Sequence, residues 1–144
     1  MEITDDLVFV DTNILVYAYD ETDTIRGPVA ERILRGLWSS DRGVVSTQVL
    51  QEFYAVATKK IKKPLTHREA RQIVADYSEW CVMHTDPQLL VSASALAEKH
   101  QLSWWDSLII EAALRSGATT LLSEDLQDGR TFGTLTIGNP FAGL

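Results

Sequence analysis

The chain has 144 residues, 45% of them hydrophobic and 23% charged, enough for one core in a single domain spanning 1–144. Its one cysteine, Cys81, excludes an internal disulfide or a cysteine-rich zinc site, and no apolar run approaches the ~18 residues of a membrane span. The formal net charge of −7 disfavours nucleic-acid binding unless the acids are local and neutralised by cations, and it leaves a metal-dependent enzyme open.

The chain begins "MEITDD", acidic where a secretory signal is basic, which predicts a cytoplasmic protein. "LVFV" (Leu7–Val10) reads as a short buried strand, and "ILVYAYD" as a helix. A second helix is expected over Pro28–Ser40, with Pro28 in its first turn. "GVVS" (Gly43–Ser46) reads as a strand. "TQVLQEFYAVATKKI" has apolar residues at 49, 50, 53, 54, 56 and 57, the helical period. "THREARQIVADYSEW" is a further helix, opened by a Thr66/Glu69 capping box. "CVMH" is a strand. "DPQLLVSASALAEKH" is a helix with Asp86 as N-cap and Pro87 at its first position. "SWWDSLIIEAALRSG" is another, ending at Gly117. "TTLLS" and "TLTIG" close the chain as strands. No repeat, low-complexity tract or linker interrupts the series.

Alternating strands and helices predict an α/β fold, a parallel sheet covered on both faces. The functional crevice of such a sheet lies at the carboxyl ends of its strands. Asp11 follows the first strand directly, and Asp125 follows "TTLLS", beside Ser123 and Glu124. The two can meet if their strands are neighbours. Either alone is also explained as a turn residue. On a helical wheel Asp106 has Ile109, Ile110 and Ala113 within about 60° of it, with Glu111 and Arg115 on the opposite, solvated side. A carboxylate on an apolar face costs several kcal/mol, roughly, unless paired, hydrogen-bonded or bound to metal. The plainer account is a Ser103/Asp106 capping box with help from the helix dipole. Glu52 lies six residues after Ser46, itself a candidate N-cap, and is flanked by Val49 and Val56. A lysine partner would explain it without function. Four acids in such positions form an oxygen-only ligand set suited to Mg²⁺ or Mn²⁺ and to phosphoryl chemistry by metal-activated water.

"VFVDTNILVYAYD", "STQVLQEFY", "LSWWDSLIIEAAL" and "TTLLSEDLQDG" resemble, in order and spacing, the four acidic motifs of PIN-domain nucleases. The likeness is greatest to VapC-type ribonuclease toxins of type II toxin–antitoxin modules, and it runs from Leu7 to about Gly138. The resemblance implies a three-layer α/β/α PIN-like domain with a central, mostly parallel sheet. It also implies Mg²⁺- or Mn²⁺-dependent endoribonuclease activity leaving 5′-phosphate and 3′-hydroxyl ends. Asp11, Glu52, Asp106 and Asp125 match the catalytic and metal-binding acids. The first three would form the primary shell, with Asp125 in an outer or second-metal position. Asn13, Ser46 and Ser123 match the supporting polar positions. Glu124 stands where the family often has asparagine, so Glu124, Asp125 and Asp128 are all candidates to complete the site. The family also implies a homodimer and inhibition by a small antitoxin that threads an element into the acidic groove. The apolar surface of "ILVYAYD" and "SWW" fits such contacts, although most such residues are core. Lys59, Lys60, Lys62 and Lys63 ("KKIKK") are candidates for RNA-backbone contact, or simply a solvated helix end. His67, His84 and His100 lack metal-ligand spacing.

Three other readings compete. A haloacid-dehalogenase-type phosphatase wants a second acid two residues after the first, where this chain has Asn13, and a lysine before its last acids. A receiver-type signalling domain wants paired acids after its first strand, whereas Asp5–Asp6 precede it. A non-catalytic PIN-like scaffold binding RNA or protein typically loses one or more acids, and here all four are retained.

Overall fold

The computed structural model describes residues 6–144; Asp5 and the rest of the acidic start lie outside the described residues. A six-stranded sheet runs in the order β3-β2-β1-β4-β6-β5. Its strands are β1 (Val8–Val10), β2 (Gly43–Ser46), β3 (Cys81–Met83), β4 (Thr120–Leu122), β5 (Thr131–Phe132) and β6 (Leu135–Gly138). All neighbours are parallel except the β5–β6 hairpin. Phe9, Val10, Val44, Val45 and Leu121 are fully buried, as expected of strands covered on both sides.

The flanking helices are α1 (Thr12–Tyr19), α2 (Arg26–Ser40), α3 (Thr47–Ala57), α4 (His67–Tyr77), α5 (Pro87–His100) and α6 (Trp104–Ser116). They pack as two groups, α1 to α4 in series and α5 against α6, with α2, α3 and α6 all reaching β2. Start signals read from the sequence hold at Ser46, Thr66, Asp86 and Ser103, whose side chains each accept the backbone N–H three residues on. The Thr66/Glu69 box is complete. At Ser103 only half of the expected box forms: Ser103 Oγ accepts from the Asp106 N–H at 3.1 Å, with no return bond from the Asp106 carboxylate.

The structure corrects the expected bounds in several places. The first helix begins at Thr12 with Asp11 as its N-cap, and the second begins at Arg26. α3 stops at Ala57, because Thr58 Oγ1 turns back to the Tyr54 carbonyl and Leu65 N–H takes the Ala57 carbonyl. Lys59–Lys63 therefore lie in a turn beyond the helix, not on a helix end. β5 was not anticipated. No helix among the described residues is long and apolar enough to cross a membrane.

At one edge of the sheet, Trp38, Tyr77 and Trp80 form an aromatic cluster with ring centroids 4.8–5.3 Å apart. The Trp80 ring lies over Gly43, where a Cβ would come within 2.5 Å of ring carbons. That glycine lets the helical layer close on β2.

Candidate active site

β1 and β4 are adjacent, with Val10 opposite Leu122. Their carboxyl ends thus bring residues 11–13 and 123–125 together. The Asp11 N–H continues the ladder to the Leu122 carbonyl at 3.0 Å, and the chain then turns directly into α1. Asp11 serves as N-cap: its Oδ1 accepts from Thr12 N–H at 2.7 Å. Its Oδ2 accepts from Ser123 Oγ at 2.8 Å. Ser123 is fully buried, and its Oγ also accepts from Asp125 N–H at 3.2 Å. One hydroxyl thereby links the two strand ends.

Glu52 enters from the second turn of α3. Its Oε2 accepts from Thr12 Oγ1 at 3.0 Å and its Oε1 from Gln48 Nε2 at 3.2 Å. Neutral donors replace the lysine partner considered from sequence. Asp125 Oδ2 accepts from Asn13 Nδ2 at 3.0 Å. Burial pushes the Asp11 carboxyl up to about 6, and the nearby Asp125 and Glu52 charges add to the rise. The Ser123 and Thr12 hydrogen bonds pull it down, less strongly. Asp11 is 8% exposed and feels the charges of two carboxylates, and among the described residues no lysine or arginine pairs with it.

Asp106 stands half-buried in the first turn of α6, above the buried Ile109, Ile110 and Ala113. Its wheel position is as expected, except that Glu111 is half-buried and paired with Arg115 at 3.6 Å. No hydrogen bond or ion pair among the described residues joins the Asp106 carboxylate to the Asp11 network. Nor do any three His, Cys, Asp or Glu side chains among the described residues converge closely enough to enclose an ion. The donor chemistry nevertheless fits a divalent cation. Asp11, Glu52, Asp106 and Asp125 have no lysine or arginine partner among the described residues, and all their donors are oxygen.

The other acidic candidates are engaged elsewhere. Glu124 Oε1 accepts from the Tyr17 hydroxyl, and its Oε2 pairs with Arg26 Nε at 3.0 Å. Asp128 Oδ1 accepts from Asn139 N–H at 2.8 Å. Ser46 is buried and caps α3 through Val49 N–H, and it donates nothing to the acids. Of the lysines, Lys63 pairs with Glu21 at 3.0 Å while Lys59, Lys60 and Lys62 are exposed. His67 lies against Tyr54, His84 against Thr47 and His100 against Phe132. Trp104 and Trp105, beside Asp106, are 39% and 63% exposed, whereas Tyr17 and Tyr19 are half-buried.

Sequence reasoning missed Thr12, Gln48, Tyr17 and Arg26. Thr12 follows Asp11 directly and Gln48 precedes Glu52 by one helical turn, so both carried a local signal. Tyr17 and Arg26 carried none, because their partner lies about a hundred residues away.

A PIN-domain family model matches residues 8–127. Three solved structures share the fold. The Mycobacterium tuberculosis toxin VapC20, described as cleaving the sarcin–ricin loop, is 22% identical with a TM-score of 0.64, covering 82% of this chain and 91% of its own. A toxin–antitoxin complex from Klebsiella pneumoniae is 16% identical with a TM-score of 0.69, over 92% and 97%. VapBC from Salmonella typhimurium, bound to DNA, is 18% identical with a TM-score of 0.64, over 94% and 98%. No curated protein matches in sequence.

Proposed function

The chain belongs to the PIN-domain family, and from that membership we propose that it is a metal-dependent endoribonuclease, the toxin of a type II toxin–antitoxin pair. The observation that carries this reading is Asp11: a buried carboxylate at the carboxyl edge of the sheet, beside Asp125 and Glu52, with no cation paired to it. Folding does not favour such an arrangement on its own account. It is explained if Mg²⁺ or Mn²⁺ completes it.

Asp11, Glu52 and Asp106 would hold the ion, with Asp125 in an outer or second-metal position. The bound ion supplies Lewis acidity to the scissile phosphate and lowers the pKa of the attacking water. The protein's own part is positional. Ser123 and the Thr12 N–H aim the two oxygens of Asp11, Thr12 and Gln48 aim those of Glu52, and Asn13 aims Asp125. Ser46 starts α3 in the register that brings Glu52 to this edge. Exposed Lys59, Lys60 and Lys62 offer charge for the RNA backbone against the net −7 of the chain. The products are 5′-phosphate and 3′-hydroxyl ends.

The partners follow the same reading: RNA as substrate, a cognate antitoxin as inhibitor, and a second copy of the chain, in the cytoplasm. One neighbour of the same fold is described as a toxin–antitoxin complex and another as VapBC bound to DNA. An open groove of about 760 Å³, lined by apolar Leu34, Trp38 and Ile73 and rimmed by Asp20, Glu21 and Glu31, supports an amphipathic protein partner. Exposed Leu90, Val91, Trp104 and Trp105 offer apolar surface for the dimer.

The test is cleavage of total cellular RNA by antitoxin-free protein with Mg²⁺ or Mn²⁺, beside EDTA and an Asp11→Ala, Asp106→Ala double variant. Discrete cuts lost in both controls, with the variant folded, support the reading. No cutting by a folded, metal-loaded protein moves weight to a PIN-like scaffold that binds RNA or protein without cleaving it.

A further inference from the structure

The acid that departs from the family pattern, Glu124, lies next to Asp125 yet turns its carboxylate to Tyr17 and Arg26. Three segments meet there. Tyr17 comes from α1, and Arg26 opens α2. Asp23 Oδ1 accepts from Arg26 N–H at 2.8 Å, the Arg26 guanidinium lies 5.0 Å from the Tyr17 ring centroid, and the Phe141 ring meets that ring edge-on at 5.2 Å. Burial, followed by the Glu124 hydrogen bond and charge, pushes the Tyr17 hydroxyl up to about 12, so it remains a donor at any working pH. Glu124 N–H donates to Asn13 Oδ1 at 3.3 Å, and the same Asn13 side chain donates to Asp125. The far end of the loop is tied to β6 by Gly129 N–H to the Ile137 carbonyl and by Asp128 to Asn139 N–H. Asp125 itself is exposed, and among the described residues its carboxylate has one hydrogen-bonded partner, Asn13. Its placement therefore depends on how firmly the loop is held on both sides of it.

We propose that Glu124 is a positioning residue and not a metal ligand: clamped by Tyr17 and Arg26, it fixes the loop after β4 so that Asp125 faces Asp11 and raises the site's affinity for a divalent cation. This rests on the metal-binding reading above. The clamp makes a prediction of opposite sign from ligation. If Glu124 were a ligand held in reserve, removing Tyr17 or Arg26 would free its carboxylate and strengthen binding. As a positioning residue, it keeps much of its effect while the Tyr17 bond remains and loses it when both partners go.

The experiment is calorimetric titration of the folded apoprotein with Mn²⁺ alone, joined to amide hydrogen exchange at residues 124 and 125. Glu124→Ala is expected to weaken Mn²⁺ binding about five- to tenfold, corresponding to about 1–1.4 kcal/mol, and to speed exchange at both amides. Glu124→Gln keeps an acceptor for Tyr17 and is expected to restore most of both. Tyr17→Phe combined with Arg26→Ala should reproduce the Glu124→Ala loss, and adding Glu124→Ala to that pair should cost nothing further. Tighter Mn²⁺ binding by the Tyr17/Arg26 variant, or equal losses in Glu124→Gln and Glu124→Ala with exchange unchanged, would overturn the proposal. Exchange that responds as expected in a protein binding no Mn²⁺ would overturn the metal-affinity role and with it the metalloenzyme reading, leaving only the loop clamp.

Discussion

Ser123 Oγ donates to Asp11 Oδ2 across 2.8 Å, from the loop after β4 to the N-cap of α1. The bond favours the charged form of a carboxylate that its surroundings otherwise discourage. Replacing Ser123 with alanine is expected to cost about 1.5–3 kcal/mol at pH 7.5, the range of a hydrogen bond to a charged group. At pH 5, where Asp11 is largely protonated, the cost should be smaller. Urea denaturation in EDTA at both pH values checks it.

Asp11 itself should destabilise the metal-free protein. Its pKa is raised from an ordinary 3.8 to about 6 in the fold, so the folded state binds more protons than the unfolded state between those values. Stability from this group is fully present below about pH 4 and is lost as pH rises through about 6. At about 1.4 kcal/mol per unit the loss approaches ~3 kcal/mol. Asp11→Asn should accordingly be more stable than wild type in EDTA at pH 7.5, by about 1–3 kcal/mol, and the difference should close toward pH 4. Mn²⁺ at pH 7.5 should raise the wild-type Tm and leave that of the variant unchanged. Equal chemical-denaturation midpoints at pH 7.5 would contradict the assignment.

Under the proposed function, Asp106 and Ser103 should separate activity from stability within one helix turn. The Ser103 hydroxyl caps α6, so Ser103→Ala should cost about 1 kcal/mol. The Asp106 carboxylate has no hydrogen bond or ion pair among the described residues. Asp106→Asn should cost less than about 1 kcal/mol, the share of the helix dipole, while abolishing RNA cleavage. Parallel thermal melts and cleavage assays distinguish the two.

Gly43→Ala tests the packing at the sheet edge. A Cβ there lies 2.5 Å from the Trp80 ring, and Trp80 is wedged against Trp38 and Tyr77. The ring must move, at an expected cost of about 1–3 kcal/mol. The urea midpoint should fall, and near-UV circular dichroism from the tryptophans should change with it.

Much of this architecture is legible without coordinates, because its signals are local. Asp86-Pro87 and Ser103 mark helix starts by side-chain chemistry, and Gly117 marks a helix end by its left-handed backbone, each acting over three or four residues. The strand–helix alternation likewise places Asp11 and Asp125 at one edge. Non-local features are not legible. β5 is two residues long, too short for a period, and exists because β6 pairs with it. α3 ends where the Leu65 N–H takes the Ala57 carbonyl, a bond that an apolar period cannot reveal. Glu124 shows the limit best: its place in the last acidic motif makes it a candidate ligand, whereas its partners come from 98 and 107 residues away.

The pairing of β1 with β4 has a consequence for how the protein is made. Asp11 emerges from the ribosome more than a hundred residues before Ser123 and Asp125. Until Leu122 docks on Val10, the early half has no serine to orient Asp11 and no loop to present the last acid. That long-range closure forms only after most of the chain is available. A polypeptide cut short before β4 lacks both Ser123 and Asp125, so the site proposed above would be incomplete in it.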